Sequence, residues 1–89
     1  MKETEVLVAN RLGLHARAAA RFVHTANRFR ARITVQRDAE RANGKSILGL
    51  LTLAAAQGTR LRLTAEGDDE TDALEELCAL IRSGFGEAR

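Results

Sequence analysis

Gly13-Leu14-His15-Ala16-Arg17 is the segment of this chain whose residue types and spacing can do chemistry. A histidine stands between a glycine turn and the start of a helical pattern. The first turn of a helix carries unpaired backbone N–H groups and a partial positive charge, so it receives anions. Arg17, two residues on, adds a planar fork of donors that fits phosphate oxygens. A free imidazole titrates near pH ~6.5, so at neutral pH one ring nitrogen holds a lone pair and can attack phosphorus. The N–H groups of Ala16 and Arg17 would then hold the new phosphoryl group. The same position also suits a histidine that only caps a surface helix, and Arg17 alone suits a solvated side chain. The combination of helix start, His15 and Arg17 is more specific than any one of them.

The elements that must position this segment follow from periodicity. Glu3 to Asn10 alternates around Val6 and Val8 and reads as a strand. Arg11 to Leu14 is a turn. From His15 to about Asn27 the pattern is helical, with Ala16, Ala19, Ala20, Val23 and Ala26 at three- and four-residue intervals and Phe22 beside them. Arg32 to Arg37 alternates again around Ile33 and Val35. Asp38 to Lys45 is polar and predicts a turn with a short third strand. Ser46 to Leu53 predicts a short helix capped by Ser46. Thr59 to Glu66 alternates around Leu61, Leu63 and Ala65. Asp69, Glu70 and Asp72 then open a helix whose apolar stripe is Leu74, Leu77, Cys78 and Ile81 and which ends at Gly84. No role is evident for Phe85 to Arg89. The order βαββαβα predicts an α+β fold, with helices on one face of a mostly antiparallel four-stranded sheet.

The 89 residues suffice for one domain, 1–89, and one modest core. No apolar run approaches the roughly 18 residues of a membrane span. The acidic start Met1-Lys2-Glu3-Thr4-Glu5 does not read as an export signal. Together with a single cysteine, Cys78, this points to a cytoplasmic protein without disulfides. Net charge is +2, but residues 1–45 carry +6 and residues 46–89 carry −4. The basic half suits nucleic acid, a membrane surface or an acidic protein. Nucleic acid fits poorly, because there is no Trp or Tyr and only three Phe for stacking. Two histidines and one distant cysteine give no metal-ligand spacing. No P-loop or dinucleotide fingerprint is present, so no cofactor is expected.

The sequence resembles the HPr family, the histidine phosphocarriers of the bacterial phosphotransferase system. The resemblance covers nearly the whole chain. It rests on Gly13 to Arg17 followed by Ala19, on Lys45-Ser46-Ile47-Leu48-Gly49-Leu50-Leu51-Thr52-Leu53, on Gln57-Gly58-Thr59 and on Ala65 to Glu70. It implies an open-faced β-sandwich. It also implies that His15 accepts phosphate through Nδ1 from Enzyme I, charged by phosphoenolpyruvate, that Arg17 assists, and that IIA domains receive the group. The chain would then be a carrier of sugar-uptake phosphate rather than an enzyme with its own turnover. A regulatory module of the same fold, in a nitrogen-linked branch or under Ser46 control, is the alternative. One departure is Ala18, where the family usually has proline; transfer rate and partner preference are what it affects.

A carrier must dock. Arg17, Arg21, His24 and Arg28 are spaced to share one helical face beside His15. The helix after Ser46 is almost wholly apolar, and a domain this small cannot bury it all. Leu50 and Leu53 are expected inside, with Ile47, Leu48 and Leu51 outside as a second docking surface. Ser46 is a cap on its own evidence. By resemblance it is also the serine modified by an HPr kinase/phosphorylase, whose phosphate would charge the apolar patch. Cys78 is expected as a buried thiol, and the default oligomeric state is a monomer.

Overall fold

The computed structural model describes residues 1–87. The elements are β1 (Lys2–Leu7), α1 (Ala16–Ala26), β2 (Arg32–Arg37), β3 (Glu40–Asn43), α2 (Ile47–Thr52), β4 (Arg60–Glu66) and α3 (Glu70–Arg82), followed by a single 3-10 turn over Gly84–Gly86. The four strands form one sheet in the order β1-β4-β2-β3, antiparallel at every junction. This is the α+β fold that the periodicity predicts and the open-faced sandwich that the resemblance implies.

Strand parity explains which face carries the helices. Val6, Ile33, Val35, Ala42, Leu61, Leu63 and Ala65 all point to one side and are buried. They meet Ala18, Ala19, Phe22 and Ala26 of α1, Leu50 of α2, and Ala73, Leu74, Leu77, Cys78 and Ile81 of α3. The opposite face holds Glu5, Arg60, Arg62, Thr64 and Gln36 and is left to water. Among the described residues no helix is long and apolar enough to cross a membrane. Burial pushes the Cys78 thiol upward, against a smaller opposing pull from Arg82, so it stays a packed apolar group.

Two expectations need correction. The first strand ends at Leu7 rather than Asn10. Val8 keeps only two bonds to the opposite chain, its N–H to Thr59 C=O and its C=O from Gly58 N–H. In α1, Ala16 and Ala20 are exposed, and Ala18 takes a place in the core instead. Alanine stands at so many positions of this helix that spacing alone does not choose its face; Phe22, the large side chain, does.

Asp69 holds two parts of the frame together. It precedes α3 but does not cap it. Its carboxylate instead accepts from the backbone N–H groups of Arg30 at 2.8 Å and Ala31 at 2.9 Å, where α1 turns into β2. The Arg30 bond is the main reason its carboxyl lies below the usual carboxylate range. A carboxyl depressed in the folded state stabilises fully above its unfolded pKa of ~3.9, and that stabilisation is lost as pH falls through the lower folded value. Asp69→Asn is therefore expected to unfold at lower urea concentration than the parent at pH 7, with the gap narrowing below about pH 4. Urea melts of both proteins from pH 7 to pH 3 check this; a pH-independent gap would contradict it.

Candidate functional site: a histidine at a helix start

The site begins with the turn before α1. Gly13 sits at φ +69°, and a Cβ there would lie 2.4 Å from the Ala55 carbonyl oxygen. Only glycine accepts both the left-handed backbone and this approach. The closeness lets the Leu14 N–H donate to Ala55 C=O at 2.8 Å, while the Gly13 N–H donates to Asn10 C=O. Leu14 is buried just ahead of the helix and Ala19 is buried within its second turn, which sets the entry angle of the chain.

His15 occupies the N-cap position with extended backbone, φ −78° and ψ 179°, yet its ring makes no capping bond. The first bond of α1 runs from Ala19 N–H to His15 C=O. The N–H groups of Ala16, Arg17 and Ala18 thus belong to the unpaired set at the helix start. The capping explanation of His15 therefore fails, because the ring is directed elsewhere.

It faces Glu87. His15 Nε2 lies 2.5 Å from Glu87 Oε2, with the two side chains 27% and 14% exposed. The other carboxylate oxygen of Glu87 accepts from the Asn10 side-chain amide at 2.9 Å. Arg21 donates to the carbonyl of Phe85, which is itself buried, and so ties down the segment carrying Glu87. The Glu87 carboxyl is held below the usual range, chiefly by the Asn10 amide, with His15 and the Arg21 charge adding to it and desolvation opposing. An ionised carboxylate can only accept hydrogen bonds, so Nε2 must bear the proton of the neutral ring. The lone pair is then on Nδ1. An open cleft of about 900 Å³ surrounds the ring, lined also by Arg11, Leu12, Ala16, Arg17 and Arg21. It combines a nucleophilic nitrogen, helix-start donors and guanidinium groups.

The family described as "PTS HPr component phosphorylation site" matches residues 2–83. The chain belongs to the HPr family. It is 45% identical over 87 residues to the phosphocarrier protein HPr of Neisseria meningitidis, covering 98% of each chain. It is 44% identical over 82 residues to the HPr-like protein Crh of Bacillus subtilis, covering 92% of this chain and 96% of Crh. The crystal structure of HPr from Thermoanaerobacter tengcongensis superposes with a TM-score of 0.95, at 47% identity and full coverage of both chains. HPr proteins are phosphocarriers, so the family has no catalytic turnover of its own to explain.

Among the residues singled out from sequence, His15, Ala16 and Arg17 come together as expected. Arg17, Arg21, His24 and Arg28 of the basic stripe are all exposed; Arg21 also donates to the Phe85 carbonyl, and Arg28 pairs with Glu76 at 3.1 Å and lies 5.7 Å above the Phe29 ring. On α2, Leu50 and Leu53 are buried and Ile47 and Leu48 are exposed, at 41% and 76%. Leu51 does not join them: it is half-buried and packs against the core. Asn10 and Glu87 were not singled out. Glu87 is 72 residues from His15 and follows a Gly-Phe-Gly segment with no periodic signal. Asn10 did carry one: it shares the inward parity of Val6 and Val8, an odd place for an amide. Ala88 and Arg89 lie outside the described residues.

Ser46 is half-buried and caps α2, its Oγ accepting from the Gly49 N–H at 3.0 Å. Ser46→Ala should lower stability by about 1 kcal/mol through loss of this bond. Gly13→Ala should cost about 2 kcal/mol or more, from the left-handed backbone and the Ala55 contact together. Urea denaturation measures both, and Gly13→Ala should show the larger fall in midpoint.

Proposed function

We propose that this protein carries a phosphoryl group on Nδ1 of His15, accepting it from Enzyme I and passing it to IIA domains of the sugar phosphotransferase system. The observation that carries this reading is the Glu87 contact on Nε2, which leaves Nδ1 as the nucleophile. In the transfer the Nδ1 lone pair forms a bond to phosphorus. The bond from phosphorus to the donor breaks, and its electron pair stays with the donor. Because Nε2 keeps its proton, the phosphorylated ring is cationic, and Glu87 sits where it balances that charge. The phosphoryl oxygens find the first-turn N–H groups of Ala16 and Arg17, and the Arg17 guanidinium. The group leaves by the reverse displacement when a IIA nucleophile attacks.

Every group in this scheme comes from one chain, so a cytoplasmic monomer suffices. Docking uses Arg17, His24 and the flank of Arg21 beside the site, with Ile47 and Leu48 of α2 as the apolar contact. The likeness to Crh, named for catabolite repression in Bacillus subtilis, supports a second, compatible reading as a regulatory module. A phosphate placed on Ser46 by an HPr kinase/phosphorylase would set charge next to Leu48 and displace the Gly49 cap, weakening the same docking face.

Phosphoenolpyruvate and the host's Enzyme I should add one acid-labile phosphoryl group to the protein by intact mass, and none to His15→Ala. Arg17→Ala should still accept the group, but about tenfold more slowly, as expected for loss of one charged donor. A parent protein that gains no mass would overturn the carrier reading and favour the binding module.

A further inference from the structure

Asn10 is the one fully buried polar side chain among the described residues. Burying an amide is costly unless its hydrogen bonds are made. Its Nδ2 makes two, to Gly13 C=O at 2.8 Å and to Glu87 Oε1 at 2.9 Å. The orientation of the amide is fixed by these partners, since reversing it would set Oδ1 against two acceptors. Oδ1 has no protein partner among the described residues. The residue thus donates twice from one amide nitrogen.

We propose that Asn10 is a positioning residue for His15, acting through Glu87. This rests on the carrier reading above for its functional consequence, though not for its geometry. The terminal torsion of a glutamate is broad and weakly restrained. A carboxylate held by one bond to His15 alone would swing; held at both oxygens, it cannot. Asn10 supplies the second hold, and it does so from the turn that also starts α1. Gly84, at φ +71°, packs beside Asn10, where a Cβ on it would meet the Asn10 Cβ at an ordinary contact of 3.4 Å. Arg21 on Phe85 steadies the same segment from the other side. The charged groups facing the Glu87 carboxylate are His15 and Arg21, with Arg11 and Arg17 on the cleft wall. Asn10 touches no reacting atom; it decides where the proton-bearing side of the ring is held.

A purely structural asparagine would serve only Gly13 C=O and the turn. A double-mutant cycle separates the two roles. Asn10→Ala, and Asn10→Leu as the variant that keeps the volume, are each made with Glu87 present and with Glu87→Ala. Phosphoryl acceptance from Enzyme I should slow about five- to tenfold on loss of the amide when Glu87 is present, and change little when Glu87 is absent. Equal losses in both backgrounds, or no loss in a folded single variant, would overturn the proposal.

Two readouts need no phosphoryl donor. The Glu87 carboxyl, followed by 13C NMR titration, should move to higher pH in either Asn10 variant. In a protein otherwise unaltered, Glu87→Ala should speed exchange of the Asn10 side-chain amide protons. An unmoved titration, or unchanged exchange, refutes the proposal even where Asn10 variants fold poorly. A parent that takes no phosphate but shows both NMR effects would fail the carrier reading and leave the positioning role standing.

Discussion

Where α1 begins decides what the rest of the molecule can do. That point is set by a single close approach, the Leu14 N–H against the Ala55 carbonyl over the bare face of Gly13. The bond joins the turn before α1 to the loop between α2 and β4. It fixes the helix start in the space between two otherwise separate connections. Side-chain burial then locks the register: Leu14 on one side of His15, and Ala18, Ala19 and Phe22 on the other. The imidazole is left at the rim, on a backbone that cannot slide. In the carrier role proposed for His15, a ring held this way loses little freedom when a phosphate arrives, which is how rigid placement contributes to rate.

How far all this could be read from the residues depended on the range of the interactions. β2, the Ser46 cap and the α3 stripe follow local rules of period and side-chain reach, and they stand where those rules put them. Alternation continues through Val8 and Asn10 after the regular ladder has stopped, so it overruns the end of β1. Alanine is a good helix former on any side, so spacing does not choose the face of α1. Glu87 carries no local signal. Its place beside His15 depends on two positive-φ glycines, Gly84 and Gly86, flanking Phe85, itself at φ +58°. No periodicity encodes a return of that kind.

The sites where local rules break are also the sites of chemistry. A buried amide, a histidine at an N-cap position that does not cap, and a left-handed phenylalanine all converge on one ring. The surrounding core of Phe22, Phe85, Leu77 and Ile81 is otherwise fully buried and apolar.

The exposed pair on α2 has a kinetic meaning. Ile47 and Leu48 project from a helix of six residues in which Leu50 is buried and Leu51 is half-buried against the core. The apolar area that α2 offers a visiting protein is therefore small, and small interfaces belong to short-lived encounters. For the proposed carrier, which leaves one partner before it serves the next, long residence would be a defect. With Leu51 half-buried against the core, the adhesion of α2 rests mainly on Ile47 and Leu48, which would keep each visit of a proposed partner short.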